Sequence, residues 1–325
     1  MSESSVLPDA RSAEVVERAS LQEMGTIPVD DVIQYVHRGL ERFPSDLELY
    51  RRYLRQRWDV YELDFSEDRR GWATLDPATQ QSFLRVATGF HHGERQVEVD
   101  LVPLLLAMPT EEAKVYLTSQ LEDEARHTIF FDRFYREVVG YDAPGIRGVL
   151  DASFAHMTET FVGSFGLLAY LVDALRRDPE NVSLLVQAAV NYFLWIEGVL
   201  ALSVMKITLN FCKRRNVLPG FYTGFNATAR DEARHVQFGL SLLHRLIHED
   251  PRRVEDVHRT LDTLLSVSGI ASYRVRYEPL GFTADEVTQI LNGQLTKKLE
   301  AIGVSLPDHI AAKMRTVRPE ALAGG

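Results

Sequence analysis

The pentapeptide Asp-Glu-Ala-Arg-His occurs twice in this chain of 325 residues, at positions 123–127 and 231–235. Each copy places a glutamate and a histidine three residues apart. On an α-helix, two such side chains lie on adjacent turns about 60° apart around the axis, so both can point at one metal ion. Each pentapeptide therefore predicts part of a metal site: Glu124 with His127, and Glu232 with His235.

Two isolated glutamates complete the pattern. Glu94 and Glu197 each lie in a largely apolar stretch ahead of one pentapeptide. Dimetal proteins of the ferritin-like class use two Glu-x-x-His helices and one glutamate from each of two further helices, all pointing into a four-helix bundle. The sequence therefore predicts an all-α, ferritin-like four-helix bundle core with additional helices. Its predicted metal ligands are Glu94, Glu124, His127, Glu197, Glu232 and His235.

The donor set indicates which metals such a bundle would hold. Four carboxylates and two imidazoles are hard and borderline ligands, which suit iron and manganese better than copper(I) or thiolate-bound zinc. Glutamates that converge inside a bundle repel one another unless cations neutralise them. The alternative is that the lone glutamates and both pentapeptides lie on solvated helix faces. The apolar surroundings of the lone glutamates and the order of the four motifs favour the metal site.

The aspartate that opens each pentapeptide is a candidate for orienting a ligand. A metal-bound histidine usually donates its other N–H to a carboxylate or a carbonyl. In a pseudo-symmetric bundle, Asp231 would reach His127 and Asp123 would reach His235. The alternative for both aspartates is pairing with arginines on the helix surface. The arginine inside each pentapeptide is itself predicted to lie on the surface.

Composition limits the classes of function. The 46 acidic and 36 basic residues give a net charge of −10, and no basic run suits nucleic acid or an anionic membrane surface. The single cysteine, Cys212, excludes an internal disulfide and a thiolate zinc cluster. Residues 1–24 are polar and lack the apolar core that a secretory signal or a membrane span would have. We therefore expect a cytoplasmic protein with no nucleic-acid partner and no membrane span.

Helical periodicity dominates the chain after a polar start. Residues 1–28 are predicted to form a mobile arm, residues 29–310 the dimetal domain and residues 311–325 a flexible tail. Apolar residues recur at three- and four-residue spacing, and proline and glycine mark the boundaries. The predicted helices cover residues 32–40, 47–58, 64–75, 77–108, 110–139, 151–176, 181–214, 219–248, 251–274 and 283–302.

Several short motifs together resemble the ribonucleotide reductase small-subunit superfamily, and within it the ligand-binding oxidases. They are WDVYELDFS at 58–66, Gly-Glu at 93–94, Ile-Glu-Gly at 196–198 and the two pentapeptides, and the similarity covers about residues 55–250. The resemblance implies an Fe/Fe or Mn/Fe pair, O2 as co-substrate and a long-chain, lipid-like ligand held against the metals. It implies a bridging role for Glu124. The implied first site is Glu94, Glu124 and His127, and the implied second site is Glu197, Glu232 and His235.

The same resemblance implies an O2-driven ether cross-link between a valine and a tyrosine. The valine lies three residues after the first glutamate ligand, and the tyrosine lies five residues before the third. Val97 and Tyr192 occupy these positions. The alternative is that both side chains only pack in the core, which is the usual role of such residues on buried helices.

The chain departs from the family pattern at several positions. Met205 replaces a tyrosine of the closely related oxidases, and His91 and His92 replace small residues just before Glu94. His91 lies one turn from Glu94 and could add an imidazole to the site, although a lone histidine on a helix is more often a hydrogen-bonded core residue. Thr228 stands where arylamine N-oxygenase relatives carry a seventh, histidine ligand, which counts against that branch.

These residues predict an O2-activating dinuclear oxidase or oxygenase that acts on a small organic substrate or a bound hydrophobic ligand. Such an enzyme needs an external electron donor, and we expect a homodimer. One alternative is an N-oxygenase acting on an amine or a hydrazine in secondary metabolism. Another is the radical-generating small subunit of a ribonucleotide reductase, but Phe131 occupies the radical-tyrosine position and residues 315–325 contain neither Tyr nor Phe. An iron-storage bundle is disfavoured, since storage proteins form from much shorter chains.

Overall fold

The predicted all-α class is confirmed. The structure is a computed structural model that describes residues 10–267 and 277–315, and every regular element in those ranges is helical. Short 3-10 helices cover Val60–Glu62, Phe154–His156, Pro251–Arg253 and Glu278–Leu280, and π-helical turns cover Tyr135–Val139 and Val190–Ala201. The α-helices are α1 (Ala10–Arg18), α2 (Leu21–Met24), α3 (Val29–Glu41), α4 (Asp46–Gln56), α5 (Ser66–Ala73), α6 (Pro77–Ala107), α7 (Glu111–Phe134), α8 (Gly145–Ser153), α9 (Glu159–Arg177), α10 (Val182–Ala189), α11 (Leu202–Arg215), α12 (Pro219–Glu249), α13 (Val254–Val267), α14 (Ala284–Ile302) and α15 (Asp308–Arg315).

Four long segments form the bundle that carries the predicted ligands. They are α6, α7, α12 and a continuous segment in which α10 runs through the longer π-helical stretch into α11. α6 packs along α7, and α12 packs against the π-helix. Local sequence explains where two of these helices begin. The Asp76 carboxylate accepts two backbone N–H groups at the start of α6, and the Thr110 hydroxyl accepts one at the start of α7.

Helix α12 lies at the centre of the bundle. Residues 224–243 are all buried, so the second pentapeptide has no solvated face. Close approach to the neighbouring helix requires glycine at position 239, because a β-carbon there would lie 2.0 Å from the β-carbon of Phe193. This contact holds α12 against the π-helix, which carries Glu197.

The structure differs from the predicted helices most clearly over 151–176 and 181–214. The predicted helix over 151–176 is interrupted, because α8 ends at Ser153 and a 3-10 turn precedes α9. The predicted helix over 181–214 is continuous, but residues 190–201 adopt π-helical geometry. A π-helix accommodates one extra residue per turn and is frequent at functional sites. The apolar periodicity of the sequence does not distinguish it from an α-helix.

The predicted mobile arm contains two packed helices. Val16 in α1 and Met24 in α2 are fully buried, and the Asn226 side-chain amide of α12 donates a hydrogen bond to the Met24 carbonyl at 2.8 Å. The packed domain therefore begins before residue 29. At the other end, α15 covers residues 311–315 of the predicted tail. The predictions for residues 1–9, 268–274 and 316–325 lie outside the described residues.

One segment in the described part of the chain is long and apolar enough to cross a membrane by length and composition. It is Val182–Arg215, with a mean hydropathy of 1.6 over its most apolar window. Of that window, 83% is buried inside the protein. The segment is therefore accounted for as a core helix of the bundle.

Candidate metal centre

The structure brings all six predicted ligands together inside the bundle. Their donor atoms form two groups, each with atoms within 4.8 Å of one another, and every member is buried. Both groups contain Glu124, so this carboxylate lies between the two halves of the centre. The first group is Glu94, Glu124, His127 and Glu232, and the second is Glu124, Glu197 and His235.

Both histidines present the same ring nitrogen to the carboxylates. The Nδ1 atom of His127 lies 3.4 Å from Glu94 Oε2, and the Nδ1 atom of His235 lies 3.4 Å from Glu197 Oε1. Glu232, which the resemblance assigns to the second site, reaches both rings: Oε1 is 3.6 Å from His127 Nδ1 and Oε2 is 3.4 Å from His235 Nδ1. Two carboxylates, not one, therefore span the centre.

The residues present fit a pair of metal ions. Among the described residues, His235 Nδ1 and the Oε2 atoms of Glu197 and Glu232 have no hydrogen-bond partner although they are buried. Buried polar atoms normally have partners, and bound cations would supply them here. The oxygen and imidazole donors suit iron and manganese. The cluster can hold two metal ions, with Glu94 and His127 on one side and Glu197 and His235 on the other.

The pKa shifts reflect the same crowding of carboxylates. Burial raises the pKa of Glu94 well above its ordinary value and raises that of Glu197 to about 8. Burial also opposes ionisation of Glu124, but its contacts with the two histidines and Glu94 outweigh this and hold its pKa at about 2. Neighbouring carboxylates likewise overcome burial and raise the pKa of both imidazoles. Protons thus provide the positive charge that metal ions would bring.

The two aspartates make the predicted contacts across the bundle. Asp231 lies 3.2 Å from His127 Nε2, and Asp123 lies 3.2 Å from His235 Nε2. Each histidine is thus held on the nitrogen that faces away from the glutamates. Burial would raise the pKa of Asp231, but the guanidinium groups of Arg234 and Arg126, together with His127, hold it well below its usual value. Both aspartates are positioned to orient a ligand.

The predicted surface position of the two pentapeptide arginines is wrong. Only 4% of the Arg126 side chain is exposed, and Arg234 is fully buried. Arg234 Nη2 donates to Asp123 at 2.8 Å and to Asp231 at 2.9 Å, while Arg126 pairs with both aspartates from the other side. The physical reason is charge balance: two carboxylates inside a bundle need buried cations, and the arginines lie one turn away on the same helices.

Gln120 belongs to the site although sequence reasoning missed it. Its amide Nε2 donates to the Tyr192 hydroxyl and to Glu197 Oε1, both at 2.9 Å. Tyr192 in turn donates to Glu124 Oε1 at 2.9 Å. Its spacing in the sequence could have predicted this, because Gln120 lies one turn before Glu124 on the same helix face. Burial, followed by Glu124 and Glu197, raises the Tyr192 pKa well above its ordinary value, so the phenol keeps its proton.

An apolar cavity of about 150 Å³ opens next to the carboxylates. The four ligand glutamates line one part of it, and side chains of α6, α9, the π-helix, α11 and α14 line most of the rest. Val97 and Tyr192, the two predicted cross-link residues, both face this cavity. A substrate in the cavity would therefore be in reach of the metal centre and shielded from bulk water.

Comparison with known proteins identifies the family. The model of the family described as ribonucleotide reductase, small chain, matches residues 41–289. The chain belongs to this family. Among solved structures, it is similar to an R2-like ligand-binding oxidase from Sulfolobus acidocaldarius, with 27% identity, a TM-score of 0.67 and coverage of 82% of this chain and 93% of that chain. It also has the fold of an R2-like ligand-binding oxidase with an aerobically reconstituted Mn/Fe cofactor, at 24% identity, a TM-score of 0.66 and coverage of 80% and 92%.

The two histidines that depart from the family pattern do not join the ligand groups. His91 is absent from both groups of donor atoms; it is buried, and its ring stacks on Tyr135 at 5.6 Å between centroids. Burial lowers its pKa to about 3, so it is a neutral core residue. His92 bonds the Leu150 carbonyl at 3.1 Å, away from the ligands. Met205 and Thr228 are fully buried in the described core.

Proposed function

We propose that this protein is an O2-activating dinuclear metal oxidase or oxygenase, with an Fe/Fe or Mn/Fe pair, that acts on a small organic substrate in the apolar cavity. The observation that carries the proposal is the direct opening of two buried ligand groups, joined by Glu124, onto that cavity. The proposal includes a cytoplasmic homodimer and an external electron donor. The likeness to R2-like ligand-binding oxidases supports it.

When bound, the two ions would supply redox chemistry with O2 and Lewis acidity. The protein would hold one ion with Glu94 and His127 and the other with Glu197 and His235. Glu124 and Glu232 reach both sides. The apolar cavity walls exclude water from the reacting atoms, and a dry site strengthens every electrostatic contact within it.

Tyr192 is the protein's own proton donor beside the ligands. Its hydroxyl carries a proton towards Glu124 and is fixed by the amide of Gln120. We propose that Tyr192 and Val97 become joined by an ether bond. The Tyr192 O–H bond and a Val97 C–H bond would break, one C–O bond would form, and O2 as oxidant would take up the two electrons and two protons.

Anaerobic metal loading followed by an oxygen titration tests the function. The expected result is two ions per chain by elemental analysis, then consumption of O2 with a change in the optical spectrum. A chain that binds two ions and leaves O2 unconsumed would contradict the proposal. The matched control is Glu112→Ala, which changes an exposed glutamate on the same helix as Glu124.

A second candidate is the radical-generating subunit of a ribonucleotide reductase. The observation in its favour is a hydrogen-bonded connection from the centre through Asp231 to Trp58, whose indole N–H donates to Asp231 at 2.7 Å. Against it, the buried Phe131 occupies the position of the radical tyrosine. Nucleotide reduction by the metal-loaded chain together with a ribonucleotide reductase large subunit would favour this candidate over the oxidase.

A further inference from the structure

Two histidines lie one turn apart near the end of α12. His244 and His248 are both exposed, and no hydrogen bond joins either ring to another described residue. They follow His235 by nine and 13 residues, so about 13–20 Å of helix axis separates them from the dinuclear centre. Neither ring belongs to the two ligand groups. The pair is therefore a separate cluster of possible metal ligands on the surface.

The two rings are oriented alike. Their planes differ by 3° and their centroids lie 6.4 Å apart. Residues four apart on a helix are neighbours on one face, which is why a His-x-x-x-His pair can bind one ion. Because zinc–nitrogen bonds are about 2.0–2.1 Å long, two imidazoles on one ion have centroids about 5–6 Å apart. The observed spacing exceeds this by only about 1 Å, which rotation of an exposed side chain covers.

The surroundings fix one of the two rings. His244 packs against Phe43, in the connection between α3 and α4, with ring centroids 5.3 Å apart. Arg245, the next residue, pairs with Asp46 at 3.2 Å and so ties this turn of α12 to α4. A ligand that is already held loses less conformational freedom when an ion binds. His244 is therefore a partly preorganised ligand, and His248 is the one that adjusts.

The nearby arginines do not repel a metal ion strongly, because each has an acidic partner. Arg253 pairs with Glu249 at 3.1 Å, and Arg252 pairs with Asp250 at 2.9 Å. The whole chain carries a net charge of −10, which attracts cations. Local and overall charge thus both permit a cation beside the two histidines.

We propose that His244 and His248 form a second metal site, mononuclear and open to solvent, for divalent ions that favour imidazole: copper(II), nickel(II) and zinc(II). Two nitrogen donors without a carboxylate suit these ions better than manganese(II). Water fills the remaining coordination positions, so the bound ion exchanges readily. The dinuclear centre differs on both counts, since its donors are mainly carboxylates and all are buried. The inference does not depend on the proposed oxidase function.

Titration of protein whose dinuclear centre is already filled tests the site. Elemental analysis should find one further copper(II) ion per chain, with the two ions of the centre retained. Electron paramagnetic resonance of the copper(II) should show nitrogen ligands. Competitive titration should rank copper(II) above nickel(II) and zinc(II), with manganese(II) weakest. His244→Gln and His248→Gln should each weaken copper(II) binding about tenfold or more, because one donor of a chelating pair is lost.

A spacing variant separates chelation from histidine content. His248→Gln combined with Glu249→His keeps two histidines on α12, but they are then five residues apart and about 140° apart around the axis. This variant should bind copper(II) as weakly as the single variants. The control is His309→Gln, which removes an exposed histidine of α15 that has no histidine one turn away. Its copper(II) affinity should equal that of the unmodified protein.

The outcomes distinguish a chelating pair from scattered surface binding. Weak binding in both single variants and in the spacing variant, with full affinity in His309→Gln, supports the site. Absence of a further ion in the unmodified protein overturns it, whether or not the variants fold. Unchanged affinity in either single variant overturns it as well, because one imidazole then suffices. Full affinity in the spacing variant would contradict the one-turn geometry on which the inference rests.

Discussion

The two halves of the metal centre carry the same pentapeptide but sit in different surroundings. Glu94 extends from a regular α-helix, whereas Glu197 extends from a π-helix of 12 residues. The aspartate that serves the first half, Asp231, also accepts the indole N–H of Trp58; the one that serves the second half, Asp123, has no tryptophan partner among the described residues. The repeat therefore sets the donor types, while the flanking helices make the two sites unequal.

The environment behind each half differs as well. The α6 helix of the first half borders the cavity through Gly93 and Val97. Behind the π-helix of the second half lies Lys298, a fully buried lysine whose Cε would lie 3.4 Å from a β-carbon added at Gly198. Both helices therefore line the cavity, but the π-helix is also backed by a buried lysine side chain. The predictions below test how far the halves depend on each other.

The largest effect is expected from the carboxylate that both halves share. Glu124→Ala should abolish binding of both ions, because each ligand group loses a member and the remaining glutamates lose their common partner. Elemental analysis of purified protein measures the loss. The exposed Glu112→Ala variant on the same helix should keep both ions. Two ions per chain in Glu124→Ala would show that this carboxylate is not a shared ligand.

A smaller effect is expected from the aspartates, and it should differ between the halves. Asp231→Ala should weaken metal binding roughly 10- to 100-fold, because it frees His127 while leaving the ligand set intact. It also removes one of the two buried aspartates with which Arg126 and Arg234 pair, and removing a partner from a buried ion pair destabilises a fold by up to about 3–5 kcal/mol. Metal titration and urea unfolding of the apo protein measure the two effects separately.

Asp123→Ala is the matched variant for the other half. It should weaken metal binding similarly but leave the Trp58 environment unchanged, because the indole bonds Asp231 only. Tryptophan fluorescence therefore distinguishes the variants. Identical fluorescence changes in both variants would mean that Trp58 fluorescence does not report on the first half of the centre.

Lys298 gives the second half a pH-dependent stability. Burial lowers its pKa to about 7, and within the described residues its ammonium group donates to Gln294, which is uncharged. Between that value and the ordinary lysine pKa the unfolded chain binds more protons, so stability should rise with pH across this range. Lys298→Met should stabilise the protein by a few kcal/mol at about pH 6 and by much less at about pH 9.

Urea unfolding at the two pH values measures the Lys298 effect. The control is Lys297→Met, which changes a neighbouring lysine that is exposed and pairs with Glu300. Its effect on stability should be small at both pH values. A gain from Lys298→Met that does not change with pH would show that Lys298 stays protonated in the folded protein over this range, which contradicts a lowered pKa.

The ligand set was predictable from sequence because helix geometry converts spacing into direction. A glutamate and a histidine three residues apart must share a helix face, so Glu124 and His127 needed no tertiary information. The π-helix was not predictable, since its apolar residues satisfy an α-helical pattern equally well. The burial of Arg126 and Arg234 was missed because charged residues on a helix are normally solvated. Here the packing of α7 and α12 inside the bundle buries both side chains.

The partners of Tyr192 illustrate a second limit. Its place five residues before Glu197 was visible in the sequence, but the hydrogen bond from Gln120 joins two helices whose relative register the sequence does not give. The cavity was not predictable for the same reason. It is enclosed by α9 and α14, which carry no motif, together with α6 and the π-helix.

The smallest change to detect is the Val97–Tyr192 ether, which would join α6 of the first half to the π-helix of the second. Aerobic metal loading of the apo protein should lower the intact mass by two hydrogen atoms, and proteolysis should yield one peptide containing both residues. Tyr192→Phe should abolish both signs, because it removes the oxygen that forms the bond.

Tyr116→Phe is the control, since Tyr116 is equally buried but does not line the cavity. Met205 is a buried, oxidisable thioether on α11, so a gain of oxygen at that residue must be scored separately. An uncross-linked Val97 peptide from a fully oxygenated protein with both ions bound would mean that the oxidant is reserved for an external substrate. The two halves would then share Glu124 and Glu232 with no covalent bond between α6 and the π-helix.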